Sequence, residues 1–177
     1  MNDIMYWSEI ESPIGPLVLL ATDEGLCHVD FGSYADREIP LRRWADRWYP
    51  GDGTPWIHGA EHPVISETTG QLKRYFDSQL DVFSVKLDIR GTPFQTRVWQ
   101  ALLDVPFGEV RSYKNIAESI GQPKAVRAVG GANNRNPIPL IVPCHRIIGA
   151  SGDLVGYGGG MEIKTYLLQL ERSEGKG

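Results

Sequence analysis

The chain has 177 residues, 41% of them hydrophobic, with 18 Lys and Arg against 22 Asp and Glu and a formal net charge of −4. That is an ordinary globular composition, enough for one large or two small domains with a real core. It excludes a membrane-spanning chain, because no stretch approaches roughly 18 uncharged apolar residues. The start, Met1-Asn2-Asp3-Ile4, lacks the basic region of a secretory signal, so a cytoplasmic location is expected, with Cys27 and Cys144 as free thiols rather than a disulfide. The net charge argues against bulk nucleic-acid binding. Its distribution is uneven, however: −7 over residues 1–90 and +3 over 91–177. Such a bias fits phosphate contact by the second half only, or simply a solvated face.

The first thirty residues alternate as three strands, Met5 to Ile10, Leu17 to Ala21 and Leu26 to Phe31, separated by Ser12-Pro13-Ile14-Gly15 and Thr22-Asp23-Glu24-Gly25, which reads as a β-meander. Helical stretches follow from about Tyr34 to Trp48 and from Pro63 to Ser78, with Pro50-Gly51-Asp52-Gly53-Thr54-Pro55 as the loop between them. A short strand near Phe83 to Leu87 is expected to close the sheet, and the domain break is placed at Arg90-Gly91. Domains of 1–90 and 91–177 result.

Thr92-Pro93-Phe94-Gln95 is a strong helix start, with Thr92 as N-cap, Pro93 at the first helical position and Gln95 completing a capping box. Phe94, Val98, Ala101, Leu102 and Val105 share one face, and Pro106-Phe107-Gly108 ends the helix. Two shorter helices come next, Ser112 to Ile120 closed by Gly121, and Pro123 to about Asn133. They form either a helix-turn-helix or an ordinary helical hairpin. The second, Lys124-Ala125-Val126-Arg127-Ala128-Val129-Gly130-Gly131-Ala132-Asn133, has mostly small residues with a basic residue in each of its first two turns. It suits close approach to a nucleic acid, or tight helix packing, or both on opposite faces. Gly156 to Gly160 reads as a mobile loop, Glu162 to Glu171 as a last amphipathic helix, and Ser173 to Gly177 as a frayed tail.

The chemistry centres on Ile141-Val142-Pro143-Cys144-His145-Arg146. A thiol becomes nucleophilic as its thiolate, which needs a base or positive field nearby, and His145 and Arg146 follow Cys144 directly. Neighbouring helical residues point roughly 100° apart, so a bridging water is the preferred Cys144 to His145 relay. Pro137, Pro139 and Pro143 stiffen the approach, and Asn136 can fix the turn. The alternative is an inert core cysteine, the reading given to Cys27, which lies in a strand with no such frame. His58 and His62, four apart, are a weak metal hint. A zinc deaminase is excluded because neither His-x-Glu nor Cys-x-x-Cys occurs.

Pro143-Cys144-His145-Arg146, Arg127-Ala128-Val129-Gly130-Gly131-Ala132 with Asn136-Pro137, and Tyr157-Gly158-Gly159-Gly160 together resemble the O6-alkylguanine-DNA alkyltransferases. The likeness is close over residues 92–171, while the N-terminal part is similar in layout, with Ser12-Pro13-Ile14-Gly15 as its best signature. The resemblance implies an α+β fold: an N-terminal ribonuclease-H-like antiparallel sheet with helix, and a mainly helical C-terminal domain with a winged helix-turn-helix-like motif. It also implies a monomer on double-stranded DNA containing alkylated guanine, with cooperative binding and O4-alkylthymine as further options, and no cofactor.

In that scheme Cys144 accepts the alkyl group once and irreversibly, His145 takes its proton through water, Glu171 orients the imidazole, and Asn136 braces the turn. Tyr113 gives a proton to the base and helps rotate the 3′ phosphate. Arg127 replaces the flipped nucleotide, with Lys124, Ala125, Ala128 and Asn133 also facing DNA. Tyr157, Gly158, Ile147, Pro139 and Lys164 form the base site. Two departures matter. Gly158 stands where some relatives carry serine, and Asp3 and Thr22 stand where animal relatives hold zinc with cysteines, so no metal is expected. The competing reading, a non-catalytic binder of alkylated DNA, belongs to relatives that replace the cysteine, and Cys144 weighs against it. A transcription regulator would need a dimerisation or sensing element that is not identifiable.

Overall fold

A computed structural model describes residues 4–51, 53–149, 152 and 157–175. The chain divides into two compact units, Met1–Arg90 and Gly91–Gly177.

In the first unit β1 (Met5–Ile10), β2 (Leu17–Thr22) and β3 (Gly25–Phe31) form the expected meander. All six residues of β2, Leu-Val-Leu-Leu-Ala-Thr, are buried, as an unbroken apolar run demands of a strand covered on both faces. Val18 and Leu20 pack with Met5, Cys27, Leu41, Ala45 and Tyr49, a cluster that includes α1 (Tyr34–Trp48). Leu17, Leu19 and Ala21 alternate to the other face, and α2 (Pro63–Phe76) packs against the same three strands.

The sheet differs from expectation at both ends. Its order is β3-β2-β1-β4, and β4 (Trp56–His58) runs parallel to β1, a strand within a stretch given no regular structure from sequence. Three residues between Pro55 and Gly59 are too few to display a period of two. Phe83 to Leu87 does not form a strand. It makes one bridge, Leu26 to Leu87, with Leu26 N–H donating to Lys86 O at 2.8 Å and Asp88 N–H to Leu26 O at 2.8 Å. The approach is close enough to require Gly25, where a Cβ would lie 2.7 Å from Lys86 O.

The second unit opens with α3 (Pro93–Leu103), carrying the expected capping box between Thr92 and Gln95. Trp99 on α3 donates its indole N–H to Ala132 O at 2.8 Å. A two-residue strand β5 (Arg111–Ser112) leads into α4 (Tyr113–Ser119), capped by Ser112 and Asn115. Helix α5 (Val126–Asn134) begins later than expected, because Pro123 to Ala125 remain in the turn. A 3₁₀ turn at Cys144–Arg146 follows, then β6 (Ile147–Ile148), parallel to β5. This small ladder, absent from the sequence reading, sets the start of α4 beside the turn that carries Cys144. The last helix, α6 (Met161–Gly175), extends through part of the expected frayed tail. Gly156, the first residue of the expected mobile loop, lies outside the described residues, as does Asp3; Tyr157 to Gly160 form a turn entering α6. Among the described residues no helix is long and apolar enough to cross a membrane.

Candidate active site

Cys144 is 5% exposed, at the start of a 3₁₀ turn entered from a loop held at both ends by one side chain. Asn136 Nδ2 donates to Val142 O at 2.8 Å, and its Oδ1 accepts from Ile138 N–H at 2.9 Å. Asn136 thus braces the turn as expected of it, and Pro137 and Pro139 are buried within the loop. Inside it Leu140 has φ +76°, a left-handed conformation rare for a branched side chain and typical of segments over-determined by their surroundings.

Burial pushes the Cys144 thiol up to about 11, against the pull of an Asn136 hydrogen bond and the charge of Lys164. At neutral pH it is a thiol, so it needs a base at the moment of attack. His145 can be that base. It is fully buried; its Nε2 lies 2.6 Å from Glu171 Oε2, and its Nδ1 is buried with no hydrogen-bond partner among the described residues. A carboxylate can only accept, so the ring proton sits on Nε2 and the lone pair on Nδ1. Burial also lowers the His145 pKa, with Glu171 opposing, which favours the neutral base.

Glu171, on α6, is 1% exposed. Burial alone would raise its carboxyl, but His145 and Arg146 outweigh this and hold it down to about 2. Arg146 approaches as a fork, Nε to Oε1 at 2.8 Å and Nη2 to Oε2 at 3.1 Å, while Nη1 donates to Val105 O at 2.7 Å. The sequence reading used Arg146 only as a nearby positive charge. The missed signal was a permanently charged side chain inside the apolar run Ile138 to Ile148, which demands a buried anion.

Other residues gather at the same place. The Tyr113 ring lies against Gly130 of α5, 3.9 Å from where a Cβ would sit. Burial raises the Tyr113 phenol, as does the nearby Cys144, with an Asn133 hydrogen bond opposing. Lys164 is fully buried and donates to Ile147 O at 2.6 Å. Ile147 was expected to offer its backbone to a ligand; its N–H donates to Cys144 O and its carbonyl accepts from Lys164. Gly158 is exposed, and a Cβ there would be 4.0 Å from Asn134 O, so a side chain has room.

On α5 and the turn before it, Lys124, Arg127 and Ala128 are exposed and Ala125 is half-buried. Asn133 is a correction: expected to face DNA, it is 2% exposed, with Nδ2 3.5 Å from Cys144 O. Three residues on from Gly130, it shares the helix face that meets Tyr113 rather than the one bearing Arg127. Cys27, read as core, is fully buried with Sγ 3.6 Å from Met5 Sδ. His62 meets Asp23 at 3.1 Å and stacks on Tyr6, while Thr22 donates to Asp88 at 2.7 Å. No cluster of three metal-ligating side chains occurs among the described residues.

Residues 93–173 match the family described as 6-O-methylguanine DNA methyltransferase, DNA binding domain, and residues 5–89 match its ribonuclease-like domain. A methylated-DNA–protein-cysteine methyltransferase of Methanosarcina barkeri is 48% identical over 170 residues, covering 96% of this chain and 98% of that one. One from Mycobacterium leprae is 44% identical over 171 residues, covering 97% and 94%. The structure of Mycobacterium tuberculosis OGT in complex with DNA superposes with a TM-score of 0.79 at 44% identity, covering 96% and 94%.

Proposed function

The chain belongs to the 6-O-methylguanine DNA methyltransferase family, and we propose that it repairs DNA by moving an alkyl group from O6 of guanine onto its own Cys144. The observation that carries this reading is the buried Cys144 turn beside a histidine whose Nε2 is tied to Glu171 and whose Nδ1 is left as a base. The Cys144 thiol proton passes through a water to His145 Nδ1. The Sγ–carbon bond forms as the carbon–O6 bond breaks. Tyr113 gives a proton to the base nitrogen so that guanine departs neutral, and exchange with solvent resets His145 and Tyr113. No step of this scheme cleaves the thioether, so each molecule acts once, and no cofactor enters the scheme.

On DNA, α4 and α5 act as a helix-turn-helix in the minor groove. Exposed Arg127 fills the place of the flipped nucleotide, Lys124, Ala125 and Ala128 line the phosphate side, and Tyr113 guides the 3′ phosphate. Tyr157, Gly158, Pro139 and the backbone of Ile147 receive the base, and the absence of a side chain at Gly158 widens the range of alkyl groups. Lys164 works from beneath, fixing Ile147 rather than touching the substrate. Residues 1–90 support this unit. Cys144, His145, Glu171 and Tyr113 all come from one chain, which suits a monomer, and a thiol nucleophile suits the reducing cytoplasm.

Incubation with an oligonucleotide bearing O6-methylguanine should raise the intact mass by one methyl group, on the Cys144 peptide. No gain, or equal gain by Cys144→Ala, would overturn the reading.

A further inference from the structure

We infer that Arg146 is a positioning residue for alkyl transfer: its guanidinium engages both oxygens of Glu171, so that the carboxylate remains an acceptor and His145 keeps its proton on Nε2 and its lone pair on Nδ1. The inference rests on the proposed transfer to Cys144 and deepens it.

The geometry is that of a clamp. Glu171 Oε1 is taken by Arg146 Nε at 2.8 Å, and Oε2 is shared between Arg146 Nη2 at 3.1 Å and His145 Nε2 at 2.6 Å. Both carboxylate oxygens therefore carry a donor from a group that never deprotonates, and a proton leaving His145 toward Glu171 would neutralise the carboxylate and leave the buried guanidinium without its counterion. The clamp is itself anchored. Arg146 Nη1 donates to Val105 O at 2.7 Å, just beyond α3, so one side chain ties the reactive turn to α6 and to the end of α3. The guanidinium carbon also lies 5.8 Å from the centre of the Phe107 ring.

The charged groups acting on His145 are Glu171 and Lys164 from α6 and Arg146 from its own turn. Of these only Glu171 favours the imidazolium, while Arg146 and Lys164 disfavour it. Replacing Arg146 with a neutral residue leaves Glu171 as a less compensated anion against the imidazole. His145 then takes up a proton at a higher pH, and its Nδ1 lone pair is lost there. A removed charge at this distance moves such a titration by roughly one unit.

The test is the single-turnover rate of methyl transfer from an O6-methylguanine oligonucleotide, measured against pH for the full chain and for Arg146→Met and Arg146→Lys. The wild-type rate should stay flat down through the ordinary histidine value of 6.5 and fall only below it. Arg146→Met should show its acid limb roughly one unit higher, and Arg146→Lys, which keeps charge but not the fork, a smaller displacement in the same direction. If Arg146→Met does not fold, Arg146→Lys decides alone. A variant whose rate is lowered but whose pH dependence superposes on the wild type would mean a merely structural arginine and overturn the inference. No transfer by the wild type would overturn the underlying reading and the clamp with it.

Discussion

At the scale of single residues, the site is built on one imbalance: a thiol held protonated by burial beside an imidazole held neutral. Neither group is reactive in isolation. Glu171 resolves the imbalance by fixing the tautomer, and it is itself fixed by Arg146. The pairing of His145 with Glu171 was legible in the sequence through the resemblance, and the Asn136 hydrogen bonds across the turn were legible from its side chain. The depth of burial was not. Lys164, placed at the base site by the resemblance, is fully buried and donates to Ile147 O. Asn133 reads as part of a basic helix, yet it faces inward toward Cys144 O. Glu171→Gln should therefore cost about 3–5 kcal/mol, because it leaves Arg146 as a buried charge without its counterion. Urea denaturation measures this, and a loss under about 1 kcal/mol would show that the buried pair is replaceable.

At the scale of elements, boundaries with a chemical signature were legible and short pairings were not. Thr92-Pro93 with Gln95 announces α3 by its capping atoms, and the observed box is the predicted one. β4, β5 and β6 are two or three residues long, so no periodicity announces them, and their pairing depends on partners remote in sequence. The consequence is functional, since the β5–β6 ladder sets Tyr113 beside the Cys144 turn. Helix α5 divides its faces: Arg127 and Ala128 are exposed, while Val129, Ala132 and Asn133 are buried. Of the two readings left open from sequence, tight packing is met by the buried face, and the exposed face is the one proposed to approach DNA. If the exposed face serves DNA, Arg127→Ala should slow repair of duplex DNA at least tenfold while leaving the reaction with free O6-benzylguanine within about twofold, a gap of roughly 1 kcal/mol or more belonging to the DNA step. Equal losses on both substrates would remove the finger role.

At the scale of the whole molecule, acid should be the weak direction. The His145 pKa is lowered from 6.5 by burial, so the unfolded chain takes up that proton first, and stability falls as pH drops through 6.5 toward the lower folded value. Burial likewise lowers His28, in the first unit, to about 4, adding a loss between 6.5 and 4. Glu171, held at about 2 against an ordinary 4.5, contributes stability above 4.5 that is lost as pH falls toward 2. All three act with the same sign. The urea midpoint should decline continuously from pH 7 to pH 3, and a midpoint that rises on acidification would contradict these environments.

The division into an acidic first half and a basic second half was legible from charge alone, and the structure divides at Arg90 and Gly91. What charge does not reveal is that Cys144, His145, Arg146 and Glu171 lie buried in the second unit, which also carries exposed Arg127 and Lys124. The central claim is that Cys144 is a once-only acceptor. Its most direct test is a titration of the protein with a large excess of oligonucleotide carrying O6-methylguanine, followed by intact and peptide mass. The account predicts a plateau at one methyl group per chain, all of it on Cys144. Repaired lesions exceeding the number of protein chains, or a methyl group on Cys27, would contradict it.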